Sequence, residues 1–350
     1  VLFLRPRWRR PVGERGRRAR VVMVAALAAM LTTVVAAVPV IALWAWNGDR
    51  SPQAQGARSV RTAKGTPPAT RDPIGDRRTA DPCALLRPAA LGRFGRTELD
   101  PDYGNFDRCD VLVTPPSDPV VDVKVDLDLD PPPEQAKPAR TTGVVAVVEE
   151  PVESHACDRT LIIDGVTDMT ITVTAKRDDD GRTPLCPIAD AATAEAVRTL
   201  NRGPLARRSP GPHAESLAQE DACTLLPARA LETVPGIDAA DPDRGYGGWG
   251  CEWGSTTSDL WLDLWFDRGE PPDAAGGTAT RLNGLPAFVR PEAEGEETCL
   301  VEVVHRTYPA GRGRTAETLR LLVGGSRPPD PLCRMATRLA GFATAELTRA

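Results

Sequence analysis

The sequence predicts an α+β protein: a single N-terminal transmembrane helix, then two tandem disulfide-stapled modules, each a mainly antiparallel sheet with flanking helices. Three observations carry that prediction. The stretch Asp81-Pro82-Cys83-Ala84-Leu85-Leu86 returns as Asp221-Ala222-Cys223-Thr224-Leu225-Leu226, and the remaining cysteines keep step, Cys109 with Cys251, Cys157 with Cys299 and Cys186 with Cys333. Residues 121–130 alternate apolar and polar without a break, as a half-buried strand does. Behind the last cysteine of each set runs an apolar stripe at helical spacing: Ile188, Ala192, Ala196 and Leu200 in the first, Leu332, Met335, Leu339 and Phe342 in the second.

Residues 1–20 read as a basic cytoplasmic tail, with eight arginines against Glu14. The uncharged apolar run 21–46 follows. In a helix it spans about 39 Å, enough to cross a hydrocarbon core of about 30 Å. The basic flank places the tail in the cytoplasm, and Trp44 and Trp46 suit the far interface. Pro39 is tolerated within such a helix. A cleaved signal peptide is the competing reading, but the run is longer than a signal core and Leu43-Trp44-Ala45-Trp46 is too bulky for a small-x-small cleavage site. A retained signal-anchor in the cytoplasmic membrane, with the modules extracellular, is therefore expected.

Residues 47–80 are rich in Pro, Gly, Ser, Thr and Arg, with almost no large apolar side chain. Such a segment buries too little surface to offset its ordering entropy and reads as a flexible linker. Residues 201–219, containing Gly203-Pro204 and Ser209-Pro210-Gly211-Pro212, read as the inter-module linker. The modules are then 81–200 and 220–350.

Within each module Asp81 or Asp221 caps a short helical turn, with Pro82 suited to a first helical position. The paired leucines point inward, and Pro88 and Pro227 open a second short helix. Residues 260–267 are the counterpart of 121–130, with Leu260, Leu262, Leu264 and Phe266 on the core face. Further strands are expected at 109–113, 161–163, 169–175, 287–290, 299–305 and 318–323.

Eight cysteines in an exported chain read as structural disulfides. No pair has C-x-x-C spacing, and the three histidines (His155, His213 and His305) are scattered, so neither a metal site nor any other cofactor is expected. Four cysteines per module allow three connectivities. Neighbour pairing is favoured: Cys83–Cys109, Cys157–Cys186, Cys223–Cys251 and Cys299–Cys333, stapling the first helical turn to a strand and a later strand to the last helix.

The net charge of −5 conceals a polarity, because the positive balance sits in the N-terminal tail and linker and the modules are acidic. An acidic body argues against nucleic acid as a partner. No G-x-S-x-G, H-E-x-x-H or phosphate loop is present, so no catalytic residue is assigned. His155 near Glu153 and Asp158, or His305 near Glu302, could be written into an acid–base scheme, but surface histidine is the better reading. Asp122, Asp126, Asp128 and Asp130 line one strand face too widely spaced for one calcium ion, and read as a solvated face. Asp178-Asp179-Asp180-Gly181 reads as a hairpin turn.

Trp261 and Trp265 share the face opposite the core leucines and flank Asp263, while Trp249 and Trp253 lie just upstream, on the expected neighbouring strand. Rings interleaved with carboxylates form a candidate platform for a sugar or a protein partner. The plainer alternative is that another element covers this face and the tryptophans are second-layer core.

The pattern D-x-C-x-L-L, then Gly250-Cys251-Glu252-Trp253, then Cys299 in a strand and Cys333 before a last helix, resembles a family of actinobacterial cell-envelope proteins, many of them lipoproteins, with no established function. It is similar, more loosely, to the extracellular sensor domains of some mycobacterial receptor Ser/Thr kinases. Residues 221–347 carry the likeness well and 81–200 less so, because Arg108-Cys109-Asp110 lacks the Gly and Trp. The resemblance implies anchored or secreted α+β modules with two disulfides each that bind an unknown envelope ligand or protein. The chain departs from the lipoprotein form in having no lipobox cysteine. The expected function is thus a non-enzymatic binding or sensor-like protein of the envelope, with an envelope scaffold and a hydrolase of envelope material as alternatives. A reporter fused after Ala350 is expected to be active only when it is of the kind that works outside the membrane; activity of a cytoplasmic reporter refutes the topology.

Overall fold

The computed structural model describes residues 72–133, 135–275, 277–311 and 313–349. The expected basic tail, the anchor and residues 47–71 of the first linker lie outside the described residues. Among the described residues no helix is long and apolar enough to cross a membrane.

Each module is a seven-stranded antiparallel sheet. The first contains β1 (Arg96–Asp100), β2 (Arg108–Thr114), β3 (Val121–Asp128), β4 (Arg140–Thr142), β5 (Val145–Glu149), β6 (Ala156–Ile163) and β7 (Thr170–Lys176), in the order β1-β2-β3-β7-β6-β5-β4. The second contains β8 (Asp243–Arg244), β9 (Gly250–Gly254), β10 (Trp261–Gly269), β11 (Thr278–Leu282), β12 (Leu285–Pro291), β13 (Thr298–Ala310) and β14 (Gly313–Gly324). Read from the equivalent edge, its order is β8-β9-β10-β14-β13-β12-β11. The two orders match strand for strand, so the cysteine repeat is also a repeat of topology.

The repeated motif does the same work in both modules. Asp81 and Asp221 accept a hydrogen bond from the backbone N–H of Cys83 and Cys223, each opening a 3-10 turn. Leu85, Leu86, Leu225 and Leu226 behind it are buried. The closing helices Leu185–Arg202 and Pro329–Leu347 lay Ile188, Ala192, Ala196 and Leu200, and Leu332, Ala336, Leu339 and Ala340, on the inner face of each sheet. Met335 and Phe342 are only partly buried against it. Alternation serves the same core: Val121, Val123, Val125 and Leu127 in β3, and Leu262, Leu264 and Phe266 in β10, face inward.

The four disulfides are Cys83–Cys109, Cys157–Cys186, Cys223–Cys251 and Cys299–Cys333. Each module is stapled twice: the N-terminal turn to β2 or β9, and β6 or β13 to the closing helix. No bridge joins the modules, and no described cysteine is free.

Three expectations are corrected. Residues 72–80 are not a loose tether. Ile74 is fully buried, the Asp72 carboxylate accepts from its N–H at 2.8 Å, and Leu205 N–H donates to Pro73 O at 2.7 Å. The segment therefore pairs with the start of the inter-module linker, which is itself docked through Leu205, Leu217 and Ala218. Residues 178–181 do not turn a hairpin; they join β7 to the closing helix, and the Asp118 carboxylate holds the next turn by accepting from Arg182 and Thr183 N–H at 3.0 and 2.6 Å. Finally, the charged face of β3 is not fully solvated. Lys124 and Asp110 are buried, paired in register across β2 and β3, because neighbouring charges on this face satisfy one another.

Replacing Cys83 and Cys109 together with serine frees a loop of 26 residues and is expected to cost about 3–4 kcal/mol. Denaturant unfolding of the exported protein measures it, and an unchanged midpoint would show that this staple is dispensable.

Candidate functional site

Strand pairing lays out the outer face of the second sheet. Trp261, Asp263, Trp265 and Asp267 point away from the core because Leu262, Leu264 and Phe266 alternate with them inward. Asp263 stands opposite Glu252, which in turn stands opposite Asp243. Three carboxylates thus form one row across β8, β9 and β10, and Trp261 and Trp265 flank that row on β10. Trp265 lies opposite Gly250 on one side and Arg320 on the other, while Trp261 lies between Gly254 and Gly324. The glycine at 324 is required here: a Cβ would come within 2.2 Å of the Trp261 ring. Both indoles are half-buried against Ala293, Leu300 and Leu322.

The four tryptophans do not make one platform. Trp253 stands opposite Leu262 and is therefore on the core face, 3 % exposed. Trp249 precedes β9 and is 2 % exposed, with its indole N–H donating to Ala218 O at 3.0 Å. Its ring packs on Phe106 of the first module. Of the five candidate residues, Trp261, Asp263 and Trp265 share the outer face, the two indoles half-buried and Asp263 buried between them at 5 % exposure, and Trp249 and Trp253 belong to the interior.

Beside the indoles lies a charged group that the sequence pattern does not single out. The Arg320 guanidinium stands 3.0 Å from Asp267, 3.2 Å from Glu294 and 3.3 Å from Glu302, and 5.1 Å from the Trp265 ring centroid. Burial alone would lower its pKa; Asp267, Glu302 and Glu294 outweigh it and raise it. Glu302 also pairs with Arg290. Glu294 arrives on the turn between β12 and β13, which carries Ala293 over Leu300 and Leu322. That turn covers the β13–β14 half of the face. The β8–β10 half carries the carboxylate row and the indoles.

The equivalent face of the first module has different chemistry. Cys109 registers with Val125 and Cys251 with Leu264, so Lys124 occupies the place of Asp263, and Asp122 and Asp126 those of Trp261 and Trp265. Lys124 pairs with Asp126 at 2.5 Å, and Asp122 with Arg108 at 3.3 Å and Lys176 at 3.4 Å. Arg108 also donates to Asp110 at 2.6 Å and stacks over Tyr103. Burial, with Asp122 nearby, holds the Asp110 carboxyl above the usual carboxylate range against the pull of Arg108. Burial likewise lowers Lys176, opposed by Asp122. This face is a closed ion-pair layer.

Of the histidines considered for acid–base work, His305 is bonded through Nε2 to Glu215 O at 2.9 Å, and His155 is exposed. Among the described residues no group of three His, Cys, Asp or Glu is placed to hold a metal ion.

No protein-family model matches the chain, and no curated protein matches it. Among solved structures it is similar to the di-domain ARO/CYC BexL from the BE-7585A biosynthetic pathway, at 11 % identity over 76 % of this chain and 90 % of that one, with a TM-score of 0.14. A likeness at that score carries no argument about fold or function.

Arg320 is 20 % exposed at the side chain, so its network is worth less than a fully buried one. Arg320→Ala removes the cation that Asp267, Glu294 and Glu302 share, with Arg290 still paired to Glu302, and is expected to destabilise the protein by about 2–3 kcal/mol. Thermal unfolding checks this; an unchanged unfolding temperature would show that the shared cation is dispensable.

Proposed function

We propose that the protein is a membrane-anchored, extracytoplasmic, non-enzymatic binding or sensor-like protein of the cell envelope. It engages its envelope ligand or protein partner through the β8–β10 half of the second module's outer face. The observation that carries this reading is the placement of Trp261 and Trp265 on either side of Asp263, with Glu252 and Asp243 continuing the carboxylate row. Indoles contribute large contact area at small entropic cost and dominate many recognition surfaces. Asp263 is buried between the two rings, and the exposed Asp243 at the outer end of the row is the carboxylate that accepts hydrogen bonds from, or pairs with a cation on, what the rings hold.

Export is supported by the disulfides. Four bridges in a chain of 350 residues belong to an oxidising compartment rather than to a reducing cytosol. The anchor rests on the apolar run 21–46 and its arginine flank. A sensing or recruiting role follows from that anchorage: the modules are held at the membrane, and their chemistry is that of a surface.

Trp261→Ala with Trp265→Ala, placed in the native envelope and followed by chemical crosslinking and mass spectrometry, tests the proposal. Whatever species the wild-type chain captures is expected to fall about 10- to 30-fold in yield with the double variant, while all four disulfides and the unfolding temperature of the first module remain. Capture that is indifferent to both indoles removes this face from consideration.

A further inference from the structure

The two modules meet along a surface that neither sheet explains. Arg268, at the end of β10, places its backbone against the β1–β2 loop of the first module: Arg268 N–H donates to Gly104 O at 3.0 Å, and Gly104 N–H donates to Arg268 O at 2.9 Å. Its guanidinium then donates to Pro101 O at 2.7 Å, Asn105 O at 2.8 Å and Gly104 O at 3.2 Å. The same guanidinium lies 4.8 Å from the Phe106 ring centroid, Phe106 packs at 5.5 Å on Trp249, and the Arg208 guanidinium lies 5.4 Å from Trp249 on a further side. Arg78 donates across the boundary to Ala218 O at 2.9 Å and Glu220 O at 2.6 Å. Tyr308 donates to Asp102 at 3.1 Å.

The positions of these contacts in the repeat are informative. Arg78 stands five residues before Cys83, and Ala218 five before Cys223; the arginine therefore bonds its own equivalent. Phe106 stands three residues before Cys109, and Trp249 two before Cys251; here again near-equivalent positions touch. In a head-to-tail array, equivalent positions lie a whole module apart. They meet only near a two-fold axis, where a surface contacts a copy of itself.

We infer that the module carries a self-complementary face, built from the segment before its first cysteine and the loop before its second, and that the partner this face fits is a second copy of the module, supplied here by the same chain. The tandem is a fused pseudo-dimer. Its two outer faces are then held in one fixed relation, and the linker is needed to keep the halves stoichiometric but not to hold them together. The asymmetric contacts mark where the copies have diverged: Arg268 stands where the register of the first module has Leu129, so the carbonyl clamp exists on one side of the axis only.

Because no disulfide crosses the boundary, the inference can be tested on the whole exported chain. A protease recognition sequence inserted between Gly211 and Pro212, in the exposed part of the linker, allows the folded protein to be cut. Size-exclusion chromatography at low micromolar concentration without reductant should then return both halves in one peak at the size of the uncut chain. Arg268→Ala and, separately, Arg78→Ala should weaken the association of the cut halves, by about 30-fold or more for Arg268 because three backbone carbonyls lose a charged donor. Near-UV circular dichroism confirms that each variant keeps its packed sheets; should Arg268→Ala fail that control, Arg78→Ala decides alone. Wild-type halves that separate on cutting overturn the inference. So does association that folded Arg78→Ala and Arg268→Ala leave unchanged, since the contact would then lie elsewhere.

Discussion

A seven-stranded sheet has two faces, and each module supplies a single closing helix to cover one of them. The burial of Val, Leu and Ile side chains beneath that helix supplies most of the driving force, and the disulfides tie the helix and the N-terminal turn to it. What remains is the constraint that shapes the rest of the molecule: the second face must be made compatible with water or covered without orphaning polar groups. The first module answers with opposed charges, Arg108, Lys124 and Lys176 against Asp110, Asp122 and Asp126. The second covers half the face with the turn bearing Ala293 and Glu294, closes the charge of Arg320 beneath it, and gives the other half indoles. Ion pairs of this kind offset their own desolvation and add little net stability. Their value lies in fixing what the face presents.

The junction between modules follows the same economy of covering. Trp249 and Phe106 are large rings that neither sheet can bury alone, and each is enclosed by the neighbouring module and by an arginine whose charge is taken up by backbone carbonyls. Arg268 is suited to this because a planar guanidinium can stack on a ring while donating in its own plane. A lysine could not do both.

Much of the fold was legible in the sequence for one reason, that periodicity and cysteine order report on the inner face. The unbroken alternation of residues 121–130 locates β3, the helical stripes locate both closing helices, and among the three pairings that four cysteines allow the favoured neighbour pairing is the one the bridges show. The short edge strands β1, β4, β8 and β11 escaped because exposed edges carry no alternation: Arg140-Thr141-Thr142 and Thr278-Ala279-Thr280-Arg281 have nothing to bury. β5 escaped because Val145-Ala146-Val147-Val148 is apolar on both faces. Of the candidate site, the two-residue period puts Trp261, Asp263 and Trp265 on one strand face, and the register does the same. Trp249 and Trp253 were grouped with them by proximity in sequence, which does not say on which side of a neighbouring strand a ring lies; register with Leu262 decides that for Trp253. Arg320 and Arg268 gave no signal, since an arginine that ends in a carboxylate cluster or on a row of carbonyls is indistinguishable in sequence from one in solvent.

Duplication makes the difference between the outer faces meaningful. The two modules share strand order, bridges, caps and inner-face pattern, so selection for folding alone would act on both alike. Yet the register that places Val125 where Leu264 stands also places Asp122, Lys124 and Asp126 where the second module has Trp261, Asp263 and Trp265. Replacing a neutralised ion-pair row by two indoles around a carboxylate gains nothing for the inner core and exposes aromatic surface that a solvated sheet does not require. The first module, in turn, supplies the loop from Pro101 to Phe106 that receives Arg268 and shields Trp249. On the binding reading, the copies have divided the work: one face is closed and serves to position, the other is left with the chemistry of recognition.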